Sequence, residues 1–146
     1  MTKKLVALAL LVAASGIAHG QAPGGNASGN FSVAIGRLSY AGGYAGIAIG
    51  GLSRASGESS VGIGGKSEAS GKASVALGGE AATRGDFSVA LGSRSQAPET
   101  LTVSVGNDET KRRIVNVEAG KNATDAVNKA QLDALLARVE ALEAKQ

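Results

Sequence analysis

The chain of 146 residues contains no cysteine and no tryptophan, and it has only two prolines and one histidine. Without cysteine the protein has no disulfide, no thiol nucleophile and no thiolate metal ligand. Aromatic residues make up 3% of the sequence: Phe31, Tyr40, Tyr44 and Phe87. Because large apolar side chains are scarce, the sequence cannot build a large globular core. We expect its stability to come from repetition and from partners.

Residues that could carry catalysis do not form a constellation in the sequence. His19 lies in a segment that we expect to be removed, and the serines recur at a fixed spacing without a base partner. The acidic residues are scattered singly, so the aspartate ladder of a calcium-binding β-roll is missing. Residues 62–67 hint at a phosphate loop, but Ser60 stands where the first glycine is needed. We predict a protein that is not an enzyme, with no cofactor and no metal.

The first twenty residues have the pattern of a secretory signal peptide. Lys3 and Lys4 precede an apolar run that is too short to span a bilayer, and small residues follow up to Gly20. We predict a signal peptide over residues 1–20 and export of the rest. Removal of the two lysines lowers the net charge from +3 to +1, so the composition gives no support for a nucleic-acid partner.

A five-residue motif returns every 14 residues and dominates the remaining sequence. Its clearest copy is Ser74-Val75-Ala76-Leu77-Gly78, and the six copies start at residues 32, 46, 60, 74, 88 and 102. Two short strands and two turns use about 14 residues, so each repeat predicts one rung of a narrow solenoid with parallel strands. The closing glycine is expected to take a positive φ at a corner. The sequence therefore predicts an all-β parallel β-roll over residues 21–106.

Alternation within the motif places its branched residues on one face and its small residues on the other. We expect the branched residues to form the core of the roll: Val33, Ile35, Ile47, Ile49, Val61, Ile63, Val75, Leu77, Val89, Leu91, Val103 and Val105. The small residues would then face outward and form an oligomer interface: Ala34, Ala48, Gly62, Ala76, Ala90 and Ser104. A single roll would be only marginally stable, because so little apolar surface is buried per rung.

After Gly106 the repeat stops, and a different pattern predicts a helix. Residues 107–123 read as a charged turn, a short strand-like run and a second turn. A helix follows over 124–146, with Asn122 or Thr124 as N-cap and Asp125 in the first turn. The heptad positions of this helix are apolar and predict a coiled-coil interface: Leu132, Leu135, Val139 and Leu142. Two heptads are too short for a stable isolated helix, so partner copies are again expected.

The repeats, the stretch from Ser104 to Val117 and the stretch from Gly120 to Leu132 together resemble the YadA-like trimeric autotransporter adhesins. The resemblance covers residues 25–146. It implies a left-handed parallel β-roll head in a homotrimer, a neck over 107–123 and the start of a parallel trimeric coiled coil over 124–146. It also implies a bacterial surface protein that binds extracellular matrix, host cells or itself, and it suggests that Asn128 gathers an anion on the trimer axis.

Other features of the sequence leave alternatives open. Arg84-Gly85-Asp86 is a tripeptide that integrins can recognise, and it falls on a predicted exposed turn. The sequence shows no membrane anchor before Gln146, so we expect no transmembrane segment in the mature chain and leave the attachment route open. The cell surface, the medium and the periplasm remain candidate locations. The alternative functions are an adhesin head without its anchor and a structural module of an exported or phage-associated fibre.

Overall fold

The structure is a computed structural model that describes residues 20, 21 and 24–145. The predicted signal peptide lies outside the described residues, apart from Gly20. The chain divides after Lys111 into two compact units, which we describe separately. The first unit is a parallel β-solenoid of about six turns, and the second contains a single helix.

Thirteen short strands in the described residues form two parallel sheets, one on each side of the solenoid. Sheet A contains β1 Gly20–Gln21, β3 Val33–Ile35, β5 Ile47–Ile49, β7 Val61–Ile63, β9 Val75–Leu77, β11 Val89–Leu91 and β13 Val103–Ser104. Sheet B contains β2 Asn26–Ala27, β4 Tyr40–Ala41, β6 Arg54–Ala55, β8 Glu68–Ala69, β10 Ala82–Thr83 and β12 Gln96–Ala97. From β2 to β13, paired residues are 14 residues apart, as in Val61 opposite Val75, which confirms the 14-residue rung. The pairing of β1 is one residue shorter, with Gly20 opposite Val33.

Two turns per rung join the sheets, and both contain residues with left-handed backbone. The motif glycines take the predicted positive φ, from 102° at Gly92 to 133° at Gly78. Eleven other residues of the solenoid also have φ between 49° and 62°, although they have side chains: Phe31, Leu38, Ala45, Leu52, Ser59, Lys66, Ala73, Glu80, Phe87, Arg94 and Leu101. The tight winding of the rung imposes this conformation, which is costly for L-residues.

The space between the two sheets holds only small side chains, and this corrects the predicted core. Sheet A contributes Gly62 and four alanines that are fully buried: Ala34, Ala48, Ala76 and Ala90. Sheet B contributes further small residues to the same interior: Ala27, Ala41, Ala55, Ala69, Thr83 and Ala97. Thr83 is the largest fully buried side chain in the described residues. A rung with strands of two and three residues is too narrow to hold a branched side chain from both sheets.

The branched residues of sheet A therefore point out of the solenoid, where the sequence analysis had placed them inside. Ile35, Leu77 and Leu91 are 43%, 41% and 46% exposed. The other nine residues of the predicted core are also at least partly exposed: Val33, Ile47, Ile49, Val61, Ile63, Val75, Val89, Val103 and Val105. The alternation was predicted correctly, but its two sides were exchanged. In the same way, the small residues that were predicted to face a partner lie in the interior, except Ser104, which is partly exposed.

The helix α1 spans Lys129–Glu143 and begins later than the sequence analysis predicted. Its N-cap is Asn128, not Asn122 or Thr124, and Asp125 lies before the first turn of the helix. The Asn128 side chain accepts the backbone N–H of Gln131, and the Gln131 side chain accepts the backbone N–H of Asn128. This reciprocal capping box fixes the start of the helix, since it satisfies two backbone donors at once.

Candidate assembly and adhesion surfaces

The outer face of sheet A carries two columns of apolar side chains, which we call the apolar stripe. One column begins with Val33 and the other with Ile35, and each continues at every fourteenth residue. Within the described residues of the solenoid, these side chains are partly or largely exposed from β3 to β13. Contiguous apolar surface of this kind is uncommon on a soluble monomer and indicates a surface that another molecule covers.

The two turns of each rung form two edges that flank the apolar stripe. Turn edge 1 is the turn before each sheet-A strand, and turn edge 2 is the turn after it. In the first two rungs both edges carry large apolar side chains, with the polar residues Asn30 and Arg37 also exposed in the first rung. The rings of Phe31 and Tyr44 on turn edge 1 meet edge to face with centroids 5.5 Å apart, and Leu38 and Leu52 are exposed on turn edge 2.

In the next three rungs both edges are charged, and the sign of the charge alternates down each edge. On turn edge 1 the Lys72 ammonium lies 3.0 Å from the Glu58 carboxylate. On turn edge 2 the Glu80 carboxylate lies 3.5 Å from Lys66 and 3.4 Å from Arg94. The side chains of all these ion pairs are about half exposed or more, so each pair contributes little to the stability of the single chain.

The outer face of sheet B is mixed in character and differs from the apolar stripe. The Arg54 guanidinium lies 5.7 Å from the centre of the Tyr40 ring, a cation–π contact between neighbouring rungs. Glu68, Ala82 and Gln96 continue the same column. This face has exposed polar groups and little apolar surface, so it is suited to remain in solvent or to contact an external ligand.

Buried serines at the corners of the rungs are a feature that the sequence analysis did not predict. The Ser74 and Ser88 hydroxyls donate to the carbonyl oxygens of Gly71 and Gly85, over distances of 2.8 and 2.6 Å. These bonds satisfy buried polar groups inside the rung and brace each turn. The regular spacing of the serines was the available signal, and it marks interior corner positions here, with no base partner beside them.

The Arg84-Gly85-Asp86 tripeptide lies at the turn that follows β10. Arg84 and Asp86 are exposed, whereas Gly85 is buried, and a side chain at Gly85 would collide with the carbonyl oxygen of Glu99. The Asp86 carboxylate accepts the backbone N–H of Lys72 at 2.8 Å. The repeat therefore requires glycine at this position for packing, and both charged side chains are directed to solvent.

In the second unit, a turn before the helix is organised around Asp125. Its carboxylate Oδ2 accepts the backbone N–H groups of Lys121 and Asn122, both at 2.9 Å. These two bonds hold the pKa of Asp125 below its ordinary value of 3.8, and the bond from Asn122 has the larger effect. Asn128 uses its amide oxygen for the cap and donates from Nδ2 to the Val117 carbonyl at 3.2 Å. The anion role of Asn128 stays a prediction.

The helix exposes its apolar side chains. Leu132, Leu135, Val139 and Leu142 are between 43% and 64% exposed, and none of the described residues of α1 is buried. Across residues 24–145, no group of three or more histidine, cysteine or acidic side chains could hold a metal ion. No helix within the described ranges is long and apolar enough to cross a membrane.

Together these surfaces define a class of protein: a repeat solenoid and a helix, each with a row of exposed apolar side chains. Residues 27–53, 55–81 and 69–95 match the family described as the YadA head domain repeat. Residues 113–143 match the family described as the coiled stalk of trimeric autotransporter adhesin.

The fold is similar to the crystal structure of the collagen-binding domain of the Yersinia adhesin YadA. The two share 32% sequence identity with a TM-score of 0.52, over 72% of this chain and 74% of that one. No curated protein matches the chain at a significant level. The chain belongs to the YadA-like trimeric autotransporter adhesins. Adhesins are a non-enzymatic class, and this family consists of exported surface proteins.

Proposed function

We propose that the protein is a homotrimeric adhesin whose solenoid forms the binding head. The observation that carries the proposal is the apolar stripe, which runs along sheet A and stays partly or largely exposed in the described solenoid. Membership of a trimeric family supports two further copies of the same chain as that cover. Burial of the stripe would stabilise each rung in a way that the alanine and serine interior cannot.

The proposed trimer interface differs from the one expected from the sequence. Its head portion consists of the branched residues of sheet A, because Ala34, Ala48, Gly62, Ala76 and Ala90 are enclosed between the sheets. Its stalk portion keeps the predicted positions of α1: Leu132, Leu135, Val139 and Leu142. Both portions use exposed apolar side chains that lie in a line, as parallel association of identical chains requires.

Adhesion would use the surfaces that the trimer leaves in solvent, above all the outer face of sheet B with Tyr40 and Arg54. The similar Yersinia structure is a collagen-binding domain, so collagen is the first ligand to examine. Other matrix proteins, host cells and further copies of the trimer are the remaining candidates. Three copies of a weak site on one body increase avidity without a deep pocket at any of them.

Binding of the purified, exported chain to surfaces coated with collagen, fibronectin or host cells tests this function. Ile49→Ser should break the trimer and lose most of the binding, since avidity is lost with the second and third copies. Gln96→Ser lies on the proposed adhesive face and keeps the apolar stripe, so it is a control for trimer formation alone, measured by ultracentrifugation and not by binding. An intact trimer that is retained on none of these surfaces would contradict the adhesive role.

The exposure of Arg84 and Asp86 in the single chain supports a second candidate, which is recognition of the tripeptide by integrins and which requires that a trimer leaves Asp86 accessible. Asp86→Glu keeps the charge and moves the carboxylate by one methylene, so it should abolish attachment of cells that depends on integrin. The measurement compares cell attachment to the wild type and to Asp86→Glu, each with the integrins of the cells blocked and with the integrins free. Equal attachment to the wild type and the variant would reject this candidate and leave the adhesin proposal standing.

A further inference from the structure

The two turn edges carry opposite charges at the same level of the solenoid. Each strand of sheet A lies between the two edges of its own rung: Glu58 precedes β7 and Lys66 follows it. In the next rung Lys72 precedes β9 and Glu80 follows it. In the rung after that, Asp86 precedes β11 and Arg94 follows it. In each of these three rungs, one residue on turn edge 1 has the opposite sign to one residue on turn edge 2, and in the third rung turn edge 1 also carries the exposed Arg84.

The first two rungs match in the same manner, but with apolar residues. Phe31 and Tyr44 occupy turn edge 1 where Leu38 and Leu52 occupy turn edge 2. From β3 to β11, each rung therefore has one residue on turn edge 1 that matches one residue on turn edge 2, and the exposed side chains of Arg37 and Phe87 fall outside this match. Within a single chain the two edges lie on opposite sides of sheet A, so this match cannot be used by one chain alone.

A ring of identical chains brings the two edges together. In a ring with cyclic symmetry each interface joins one surface of a chain to a different surface of the next, and equivalent rungs lie at the same height when the solenoids are parallel to the axis. If the apolar stripe of each chain faces that axis, its two flanks face the two neighbouring chains. Turn edge 1 of one chain then meets turn edge 2 of the next.

We infer that the two turn edges form a charge code that sets the register of the assembled heads and selects identical chains as partners. The inference rests on the proposed homotrimer. It adds the contact between turn edge 1 of one chain and turn edge 2 of the next, which aligns the three solenoids. The native register places Glu58 by Lys66, and Lys72 by Glu80, of the adjoining chain. A slip by one rung places like charges together, since the sign alternates down both edges. Like charges in apposition oppose the slipped arrangement.

The ion pairs within each edge do not remove this code. Glu58 with Lys72, and Glu80 with Lys66 and Arg94, form contacts between rungs of one chain and leave their side chains about half exposed or more. A carboxylate has lone pairs for several donors, so a partner chain can add a second cation to the same group. Because the charges alternate in sign, the side chains of each edge can form ion pairs between rungs of their own chain. The same side chains can also form ion pairs with the edge of the neighbouring chain.

Substitution of the charged residues along one whole edge separates ion pairing within that edge from ion pairing between chains. Variant one carries Glu58→Lys, Lys72→Glu and Asp86→Asn, and the amide retains an acceptor for the Lys72 backbone N–H. Variant two carries Lys66→Glu, Glu80→Lys and Arg94→Glu. Each reversal keeps the ion pairs within its own edge but places like charges between chains. The combined variant carries all six substitutions and restores opposite charges between chains in the rungs of β7 and β9, while the rung of β11 keeps one neutral and one acidic side chain.

The test is native mass spectrometry and analytical ultracentrifugation of the full exported chain, with circular dichroism to monitor β content. Each single-edge variant should dissociate at a roughly tenfold or higher protein concentration than the wild type at low salt. In about 1 M salt, where charges are screened beyond about 3 Å, the difference should largely disappear. The combined variant should form trimers as the wild type does.

Coexpression of the wild type and the combined variant, with tags of different mass, gives the sharpest result. We expect two homotrimers and few mixed trimers, because every mixed interface contains like charges. Free mixing of the two chains, with each alone a stable trimer, would overturn the charge code and leave the homotrimer intact. A wild type that is not a trimer would overturn the code together with the proposed assembly. If a single-edge variant loses its β content, the trimer formation and mixing of the combined variant provide the test instead.

Discussion

At the scale of single residues, volume decides which side chains lie between the sheets. The fully buried positions of the solenoid hold alanine, serine and threonine, and the branched aliphatic residues lie outside. Close approach of the two sheets leaves no room for a longer side chain. The left-handed residues of the turns are a second consequence of the narrow rung, because a chain that reverses direction twice in 14 residues needs positive φ at the corners.

Ala76→Val tests the assignment of the interior. Ala76 is fully buried in β9, so two added methyl groups should lower the free energy of unfolding by about 1–3 kcal/mol through overpacking. Ala82→Val on the outer face of sheet B is the control, and it should change stability by less than about 0.5 kcal/mol. Urea denaturation measures both. A variant Ala76→Val as stable as the wild type would contradict a filled interior.

Ala73→Gly tests the strain at the turns. Ala73 has φ 49°, and glycine adopts this conformation without the steric cost that an L-residue has there. We expect the free energy of unfolding to rise by up to about 1 kcal/mol, since the loss of unfolded-state order offsets part of the gain. Ala76→Gly is the control in a strand and should destabilise by about 1 kcal/mol or more. Equal destabilisation by both substitutions would argue against strain at Ala73.

At the scale of elements, the turn and cap before α1 determine where the helix begins. Asp125 binds two backbone N–H groups of the turn, and Asn128 with Gln131 closes the first turn of the helix. The sequence contained this signal, because asparagine followed three residues later by glutamine is a capping-box pattern. The apolar heptads were read from Asp125 onward, and they do not mark the first helical residue, since apolar periodicity can extend beyond the hydrogen-bonded helix.

The turn at Asp125 should respond to acid. Its folded pKa is lowered, so its contribution to stability is fully present above the ordinary pKa of 3.8 and is lost as the pH falls through the lower, folded value. Amide chemical shifts of Lys121 and Asn122, followed by NMR from neutral to acid pH, should titrate with a midpoint below 3.8. Asp125→Asn should remove this titration. A midpoint at or above 3.8 would mean that the two amides do not favour the carboxylate.

At the scale of the whole molecule, assembly and stability are expected to be one process. The solenoid and the helix each leave their largest apolar side chains exposed, so a single chain gains little from folding alone. The interior of small residues allows the two sheets to pack closely and contains buried hydrogen bonds. The proposed contacts between chains would bury most of the apolar surface. This division explains how a sequence with 3% aromatic residues and no disulfide can support a stable surface protein.

The thermal midpoint of the exported chain should therefore depend on its concentration. Folding that is linked to association becomes more favourable as the concentration rises, by mass action. We expect the midpoint, measured by circular dichroism, to fall as the protein is diluted a hundredfold, and Ile49→Ser to abolish most of this dependence. A midpoint that is independent of concentration, together with a folded single chain in ultracentrifugation, would contradict the proposed coupling.

The sequence by itself determined the 14-residue rung, the parallel strands, the alternation of each strand, the apolar helix positions and the family. All of these are local or periodic properties, which the order of residues expresses directly. Only the tertiary structure decided which side of the alternating strand is the interior, because that depends on the distance between sheets and not on period. The tertiary structure also places Glu58 and Lys66 at one level on opposite edges of the solenoid. In the proposed trimer these two positions can therefore pair between chains, which their separation in the sequence does not indicate.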